Sequence, residues 1–472
     1  MRITVSVTTL VALLLMSSIS PAQTVLQSTA EEQEAVEVTV YNNNFGLIKE
    51  TRKIAIPKGR GELRFMDVAA AIMPSTVHVK SVDDAKGFSI LEQNYEYDLM
   101  SAEKLLDKYV GKKIKLIEWN QYKDKTSEVD AVLLSNVKGQ IFKINNEIYL
   151  GHPGIKVLPQ LPENLIAKPT LTWLYENADE KPRKLEVSYL TNNINWQADY
   201  IAVLNKDDTA ADISGWVTLD NKSGATYREA RLKLIAGLVH RVPEDGEKQV
   251  RRKMALATPS TPAFEEKPFF EYHLYDLKRQ TTIKDNQTKQ VTLLEALGAK
   301  VEKGLLVYGP RGFYTAAYQQ KKPKQPVNIY VTMRNSKANS LGMPLPAGIM
   351  RLYKTDSDGG RQFIGEDKIG HTPVNEEVKL KIGQAFDVVA ERTQTDFKQV
   401  ARRVYESEWE ITVRNHKEEE VTVGIVEPLT GSWDVISKTH PFKKLDAFTI
   451  RFDVKVPKDG EAKVKYRVRV GP

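Results

Sequence analysis

The chain has 472 residues, 41% of them hydrophobic, no cysteine and a formal net charge of +7. The absence of thiols excludes disulfides, a nucleophilic cysteine and lipid attachment at a cysteine, and so mild a positive excess does not supply the clustered basic face that nucleic-acid binding needs. A chain this long exceeds one hydrophobic core and is expected to divide into several domains.

At the N-terminus, Arg2 precedes an uncharged, largely apolar run over residues 3–16, followed by small residues. Ser20 and Ala22 suit the −3 and −1 positions of a signal-peptidase site, so residues 1–22 read as a signal peptide cut before Gln23. No later segment reaches the roughly 18 apolar residues that spanning a bilayer needs. The mature chain is expected to be exported, periplasmic or secreted, with no transmembrane anchor.

Beyond the leader the dominant period is two. VEVTV (36–40), KLEVSY (184–189), RLKL (231–234), VKLKI (378–382) and KVKYRVRV (463–470) alternate apolar with polar residues, the pattern of strands with one buried face. One stretch departs from this alternation. SAEKLLDKYVGKK (101–113) reads as a helix capped by Ser101 and ended near Gly111, followed by five short strand runs to about residue 158. That order predicts a small SH3/Sm-like barrel inserted among β-sandwich-like modules, a mainly β fold. The expected division is an N-terminal β module (36–98), the small barrel (99–165), a β module (166–242), a flexible linker rich in charge and proline (243–268), and two sandwich-like modules (269–400 and 401–472). Four short phrases recur: VTVYN (38–42), VTLDN (217–221), VTMRN (331–335) and ITVRN (411–415). Each ends in an Asn before a polar turn and predicts an equivalent strand-to-turn corner. Pro457-Lys458-Asp459-Gly460, between RFDVKV and AKVKYRVRV, predicts a hairpin.

Longer phrases carry a resemblance. YNNNFGLIKETRKI (41–54), INWQADYIAVLNKDDTAADISGWVTLDNKSGATYREARLKLIAG (194–237), FFEYHLYDLKRQTTIKDNQTKQVTLL (269–294) and the stretch 363–397 resemble exported bacterial proteins that share domain of unknown function 4139, some labelled mucoidy-inhibitor-like. The resemblance implies a β-rich envelope or exported protein of unestablished activity and supplies no catalytic residues. Longer relatives carry an extended coiled coil where this chain has only the short barrel-like insert, so roles tied to that coiled coil do not transfer.

The standard catalytic signatures are absent from the sequence: no GxSxG, HExxH, GxxxxGK or GxGxxG. The seven histidines lie far apart, so a zinc site would have to be assembled by the fold. No catalytic or cofactor-binding residue is singled out. Between residues 351 and 369, Asp356-Ser357-Asp358-Gly359-Gly360 separates two apolar-alternating runs and predicts a hairpin. The competing reading is calcium, with Asp356, Asp358, Glu366 and Asp367 as oxygen ligands, although Gly360 and Gln362 fall where an EF-type loop needs its middle ligands. Further on, Asp387 and Glu391 would share one face of a strand, with Arg392 beside them as a salt-bridge partner. Trp173, Trp196, Trp216, Trp409 and Trp433 sit in or beside alternating runs and are expected in cores. The function expected is non-catalytic binding or assembly with envelope or secreted proteins through free strand edges and loops. The alternative is a hydrolase or carbohydrate-active protein with an acidic site assembled by the fold, and calcium-stabilised scaffolding is a third.

Overall fold

The computed structural model describes residues 25–84, 86–96, 101–120, 125–160, 168–237, 239–241, 264–310, 312–318, 324–356 and 358–472. The leader expected over 1–22 and most of the linker expected over 243–268 lie outside these. The fold is mainly β: strands make up nearly all of its regular structure, with a single α-helix among the described residues. None of the described helices is long and apolar enough to cross a membrane. The chain divides into two compact units, one comprising residues up to Val36 together with Lys49–Tyr189, the other Glu37–Ile48 together with Leu190–Pro472. A short N-terminal segment therefore contributes to the second unit, which a linear division into modules does not foresee.

In the first unit, Val25–Ser28, Gly59–Met66, Thr170–Asn177 and Phe88–Glu96 form a four-stranded sheet in that order. Leu63, Phe65, Leu171 and Trp173 are fully buried, as expected of strands with one face turned inward. Arg52 lies in the same interior, its guanidinium 3.6 Å from the centre of the Phe65 ring. It donates to Glu50 Oε1 at 3.0 Å and to the carbonyls of Ser28 at 3.0 Å and Met66 at 2.8 Å. Burial raises the Glu50 pKa, and the charge of Arg52 acts against that rise.

The insert between residues 101 and 160 has the expected helix and all five expected strands. Ser101 Oγ accepts from the backbone of Lys104 at 3.2 Å and caps the helix Ala102–Lys108. Gly111, with φ of +82°, turns the chain out of it. The strands do not close into a barrel, however. They form an open sheet in the order Glu147–Leu150, Ile141–Ile144, Lys125–Ser135, Lys113–Asn120, Ile155–Val157, and among the described residues the two end strands do not pair with each other. The end strands have only four and three residues. Among the described residues each of them pairs with one neighbour only, and strands this short offer few backbone groups with which to close a seam.

The second unit includes nearly all of the strands from Ile194 onward. Its 22-residue strand Gln287–Tyr308 pairs with Ala210–Asn221 in its first part and with Asn328–Arg334 and Val421–Pro428 in its last. Two buried tyrosines, Tyr200 and Tyr275, donate to the carbonyls of Pro346 at 2.8 Å and Pro344 at 2.9 Å and so pin the segment before the strand Gly348–Thr355. At the C-terminal end, a sheet of Lys324–Gln325, Val388–Ala401, Val404–Asn415, Gly460–Gly471 and Ser432–Lys438 shares one core with Val421–Pro428 and Thr449–Val456. Trp409, Val413, Ile425, Phe452 and Tyr466 belong to this core.

Three sequence expectations change here. The strands flanking Pro457–Gly460 are not a hairpin: Thr449–Val456 pairs with Val421–Pro428, whereas Gly460–Gly471 pairs with Val404–Asn415. Turn residues dictate a reversal, but both flanking strands have an apolar face that needs a core. The chain arches from one sheet to the facing one and buries both. A module boundary at 400/401 fails for a related reason, because Val388–Ala401 and Val404–Asn415 are antiparallel partners in one sheet. Residues 264–268, expected in the linker, begin the strand Phe264–Phe269, which pairs with Tyr272–Leu277.

Three of the four Asn-ended corners are equivalent devices. Asn221, Asn335 and Asn415 are each fully buried. Their amides donate to two or three carbonyls of nearby turns: Asn415 to Glu419, Val456 and Pro457, and Asn335 to Met343, Thr372 and Pro373. Each side-chain oxygen in turn accepts from a turn N–H, that of Ser223, Gly342 or Lys417. The fourth, Asn42, departs from the pattern: it is half-buried and donates to the Trp196 carbonyl at 3.1 Å, on another strand. Asn177 ends its strand in the manner of the buried three, bonding the carbonyls of Ile56, Pro57 and Asp179. Its phrase, WLYEN, lacks the Thr of the others and does not stand out in the sequence.

Candidate interaction site

The open sheet of the first unit has two unlike faces, which follow from its register. Side chains alternate across a strand, and Leu116, Leu133, Phe142 and Ile144 point to the helix side, where they pack with Leu106 and Tyr109. Among the described residues no helix covers the opposite face. Register places Ile148 opposite Lys143, Lys143 opposite Val132, and Leu150 opposite Ile141, all on this outer face. At the far edge Ile155 stands opposite Ile117. Ile148, Leu150 and Ile155 are 66%, 85% and 70% exposed. Ile148 and Leu150 stand together at one edge, with Ile155 at the opposite edge four strands away, and neighbouring large apolar side chains this open are a feature of interaction surfaces.

The edge strand Glu147–Leu150 is defined by a two-residue turn. Asn145 and Asn146 both take positive φ, +46° and +73°, which is the geometry that matches hairpin twist and favours Asn. Ile144 and Glu147 close that turn, so Glu147 and Tyr149 spend their backbone groups on the inner neighbour. The N–H and C=O groups of Ile148 and Leu150 point the other way, out of the sheet. They form a ready template for an added strand. Tyr149, on the helix side of the sheet, donates to Glu147 Oε2 at 3.1 Å, and that bond raises its pKa. The signal for this site stands in the sequence as Asn-Asn between IFKI and EIYL. What the sequence does not disclose is that the sheet stays open.

Three of the four carboxylates considered for calcium, those of Asp356, Glu366 and Asp367, are engaged elsewhere, and Asp358 contributes its backbone N–H to the Asp356 carboxylate. Asp356 Oδ1 accepts from the backbone of Asp358 at 3.1 Å and Gly360 at 2.8 Å, while Oδ2 accepts from Gln362 at 2.8 Å. These bonds lower its pKa, Gln362 contributing most. They close the tip of the predicted hairpin, whose strands Gly348–Thr355 and Arg361–Ile369 do pair. Glu366 binds Arg351 at 3.1 Å, and Arg351 in turn binds Asp199 at 3.1 Å. Asp367 accepts from the backbone of Lys368 and of Lys381, each at 2.8 Å. Glu366 and Asp367, as neighbours in a strand, point to opposite faces. Among the described residues no three His, Asp or Glu side chains group as a metal site.

The proposed carboxylate pair also separates. The strand begins at Val388, which leaves Asp387 in the preceding turn and Phe386 94% exposed. Glu391 faces outward and binds Arg414 at 2.6 Å. Arg392 points inward, 1% exposed, and forms a two-pronged pair with Glu427, itself fully buried. Tyr314 donates to the same carboxylate at 2.8 Å and lies 3.0 Å from the Tyr466 hydroxyl. Burial disfavours the charge of Arg392, but the Glu427 carboxylate outweighs it and raises its pKa. Burial, reinforced by Glu427, pushes both tyrosines well above the usual phenol range. Every strong donor in this cluster has a partner within the core, the mark of a structural network.

The outer face of the C-terminal sheet is similarly self-satisfied. Glu406, Glu408 and Glu410 stand opposite Arg469, Arg467 and Lys465 and bind them at 2.6, 2.8 and 2.8 Å. A concavity of about 350 Å³ is lined by Arg231, Lys267, Lys278 and Arg279 with Glu265 and Asp276. Both of its carboxylates are held by its cations, Asp276 by Arg231 at 2.7 Å and Glu265 by Lys267 at 3.3 Å. Of the tryptophans, Trp173, Trp196 and Trp409 are fully buried and Trp216 nearly so, while Trp433 is half-buried.

A model of one protein family, described as a domain of unknown function (DUF4139), matches residues 185–470. The chain belongs to the DUF4139 family. A search of curated proteins found no match to it. The DUF4139 match covers the strands of the second unit from Ile194 to Gly471 almost entirely and includes none of the open sheet at residues 101–160.

Proposed function

We propose that this protein is an exported envelope component that works by binding, without catalysis, and that the free edge Glu147–Leu150 is where it takes up an extended segment of another polypeptide. The observation that carries the reading is the outward set of backbone groups on Ile148 and Leu150, flanked by exposed apolar side chains. An added strand satisfies those groups by main-chain hydrogen bonds, and pockets between alternate side chains select its sequence. Export rests on the leader read at residues 1–22.

The test is crosslinking in cells from a photoreactive residue placed at Ile148 or Leu150 of the full-length chain. Crosslinks are expected to be confined to this edge and abolished by lysine at the other of the two positions, Leu150→Lys with the photoreactive residue at 148 and Ile148→Lys with it at 150, with export and folding unchanged. No crosslink from either position, in a folded and exported chain, overturns the reading.

A further inference from the structure

The same edge is self-complementary, and we infer that the strand it accepts is Glu147–Leu150 of a second copy of this chain, paired antiparallel about a two-fold axis through Tyr149. The inference rests on the edge-binding reading above and names its occupant. Hydrogen bonding and facing are met together by a register centred on a residue of this strand, and the third condition, charge, depends on its sequence.

The first is hydrogen bonding. Only Ile148 and Leu150 have backbone groups facing the free edge, so they must be the hydrogen-bonded positions of any added pair. Antiparallel pairing about Tyr149 sets Ile148 opposite Leu150 of the second copy and Leu150 opposite Ile148 of the second copy. Both free positions are then used on both strands. The second is facing. Opposed residues share a face, and a register centred on a residue pairs positions of like parity. The exposed Ile148 and Leu150 of the two copies join into one apolar ridge, and both helices remain on the other side. A shift by one residue would turn one copy over and set each outer face beside the other's helix side.

The third is charge. Edges that avoid self-association carry lysine, proline or an inward charge. This edge carries one charged residue, Glu147, and the two-fold register sets it opposite Gly151 of the second copy, where φ of +94° ends the strand. The two Glu147 carboxylates lie about four residues apart along the pair, roughly 13 Å, beyond the screening length of about 8 Å at physiological ionic strength. No like charges meet. The pairing is short, so the association is expected to be concentration-dependent and symmetric rather than permanent.

The chain has no cysteine, which makes the test direct. In a non-hydrogen-bonded antiparallel pair the Cα atoms approach to about 4.5 Å, within disulfide reach. Tyr149→Cys in the full-length protein is therefore expected to form a disulfide-linked dimer under mild oxidation. Leu297→Cys, at a position 74% exposed outside the edge, serves as the collision control and is expected to stay monomeric. A register test accompanies it in sedimentation. Ile148→Lys/Leu150→Lys opposes introduced lysines and is expected to abolish the dimer, whereas Ile148→Lys/Leu150→Glu opposes lysine to glutamate and is expected to restore it. Equal crosslinking of Tyr149→Cys and Leu297→Cys, or failure of the opposite-charge variant to recover a dimer lost in the like-charge one, overturns the inference. Edge crosslinks in cells to a different protein, with no dimer in solution, overturn the second copy as occupant and leave the edge-binding reading standing. Absence of both overturns the two together.

Discussion

Replacing Glu427 by Gln removes one charge and almost no volume, so it isolates what the buried pair with Arg392 contributes. Both partners are out of water, at 0% and 1% exposure, and the carboxylate accepts from two guanidinium nitrogens and from Tyr314. After the change, an amide N–H₂ faces a guanidinium N–H and the Arg392 charge has no counter-ion. Breaking a buried pair from one side costs about 3–5 kcal/mol, because the remaining charge stays desolvated. Replacing both partners by apolar residues, Arg392→Met/Glu427→Leu, removes the stranded charge and is expected to cost less than either single change. With two compact units a global melting temperature is not a clean observable. Native-state hydrogen exchange of the core strands Val404–Asn415 and Gly460–Gly471 is, since it reports opening of this sandwich alone. The expected loss of protection in Glu427→Gln is roughly two to four orders of magnitude. A loss below about tenfold, or a double variant as unstable as the two singles added, would refute the view of this network as a paired structural cluster.

Four further outcomes follow from the geometry. Asn415→Ala and Asn335→Ala each strand several buried carbonyls, so each is expected to destabilise by about 1–3 kcal/mol, read by urea titration of the second unit's signals. Tyr200, Tyr275, Tyr314 and Tyr466 all have pKa values raised by burial. Their stabilisation is complete below the unfolded phenol value near 10 and is lost as pH rises from there toward the folded values, so stability should fall above about pH 10 by up to ~1.4 kcal/mol per pH unit per tyrosine; a flat urea midpoint between about pH 10 and 11.5 contradicts this. A Cβ at Gly348 would collide with the Ala198 carbonyl across the parallel pair, so Gly348→Ala is expected to cost about 1–3 kcal/mol by the same titration. Asp356→Ala should loosen its hairpin equally with and without calcium, because the bonds it loses are to Asp358, Gly360 and Gln362; a destabilisation seen only with calcium present would restore the metal reading.

Local structure is legible wherever local chemistry decides it. Ser101 and Gly111 mark their helix because a cap hydroxyl and a left-handed exit are properties of single residues. The Asn corners at 221, 335 and 415 are readable for the same reason, since a buried amide serving a turn recurs with its phrase. What the sequence withholds depends on which strands meet. KVKYRVRV reads as a half-buried strand, yet only the fold shows that Arg467 and Arg469 face Glu408 and Glu406 and that its basic face is neutralised there. The turn at Pro457–Gly460 dictates a reversal but does not say whether the reversal stays in one sheet. Ala385–Ala390 reads as continuous alternation, though the strand starts at Val388 and leaves Phe386 exposed. The candidate edge is half visible. EIYL reads as a strand, while its freedom from a second neighbour is a property of the whole sheet.

The most direct measurement is residue-resolved hydrogen exchange across Ile144–Leu150 in the dilute, isolated protein. Alternation is expected: protected amides at Glu147 and Tyr149, which bond the inner strand, and fast exchange at Ile148 and Leu150, whose amides face outward. Raising the protein concentration should then slow Ile148 and Leu150 together. Protection of Ile148 and Leu150 in the dilute monomer would mean that the edge is already covered, and the binding site proposed for this protein would not exist.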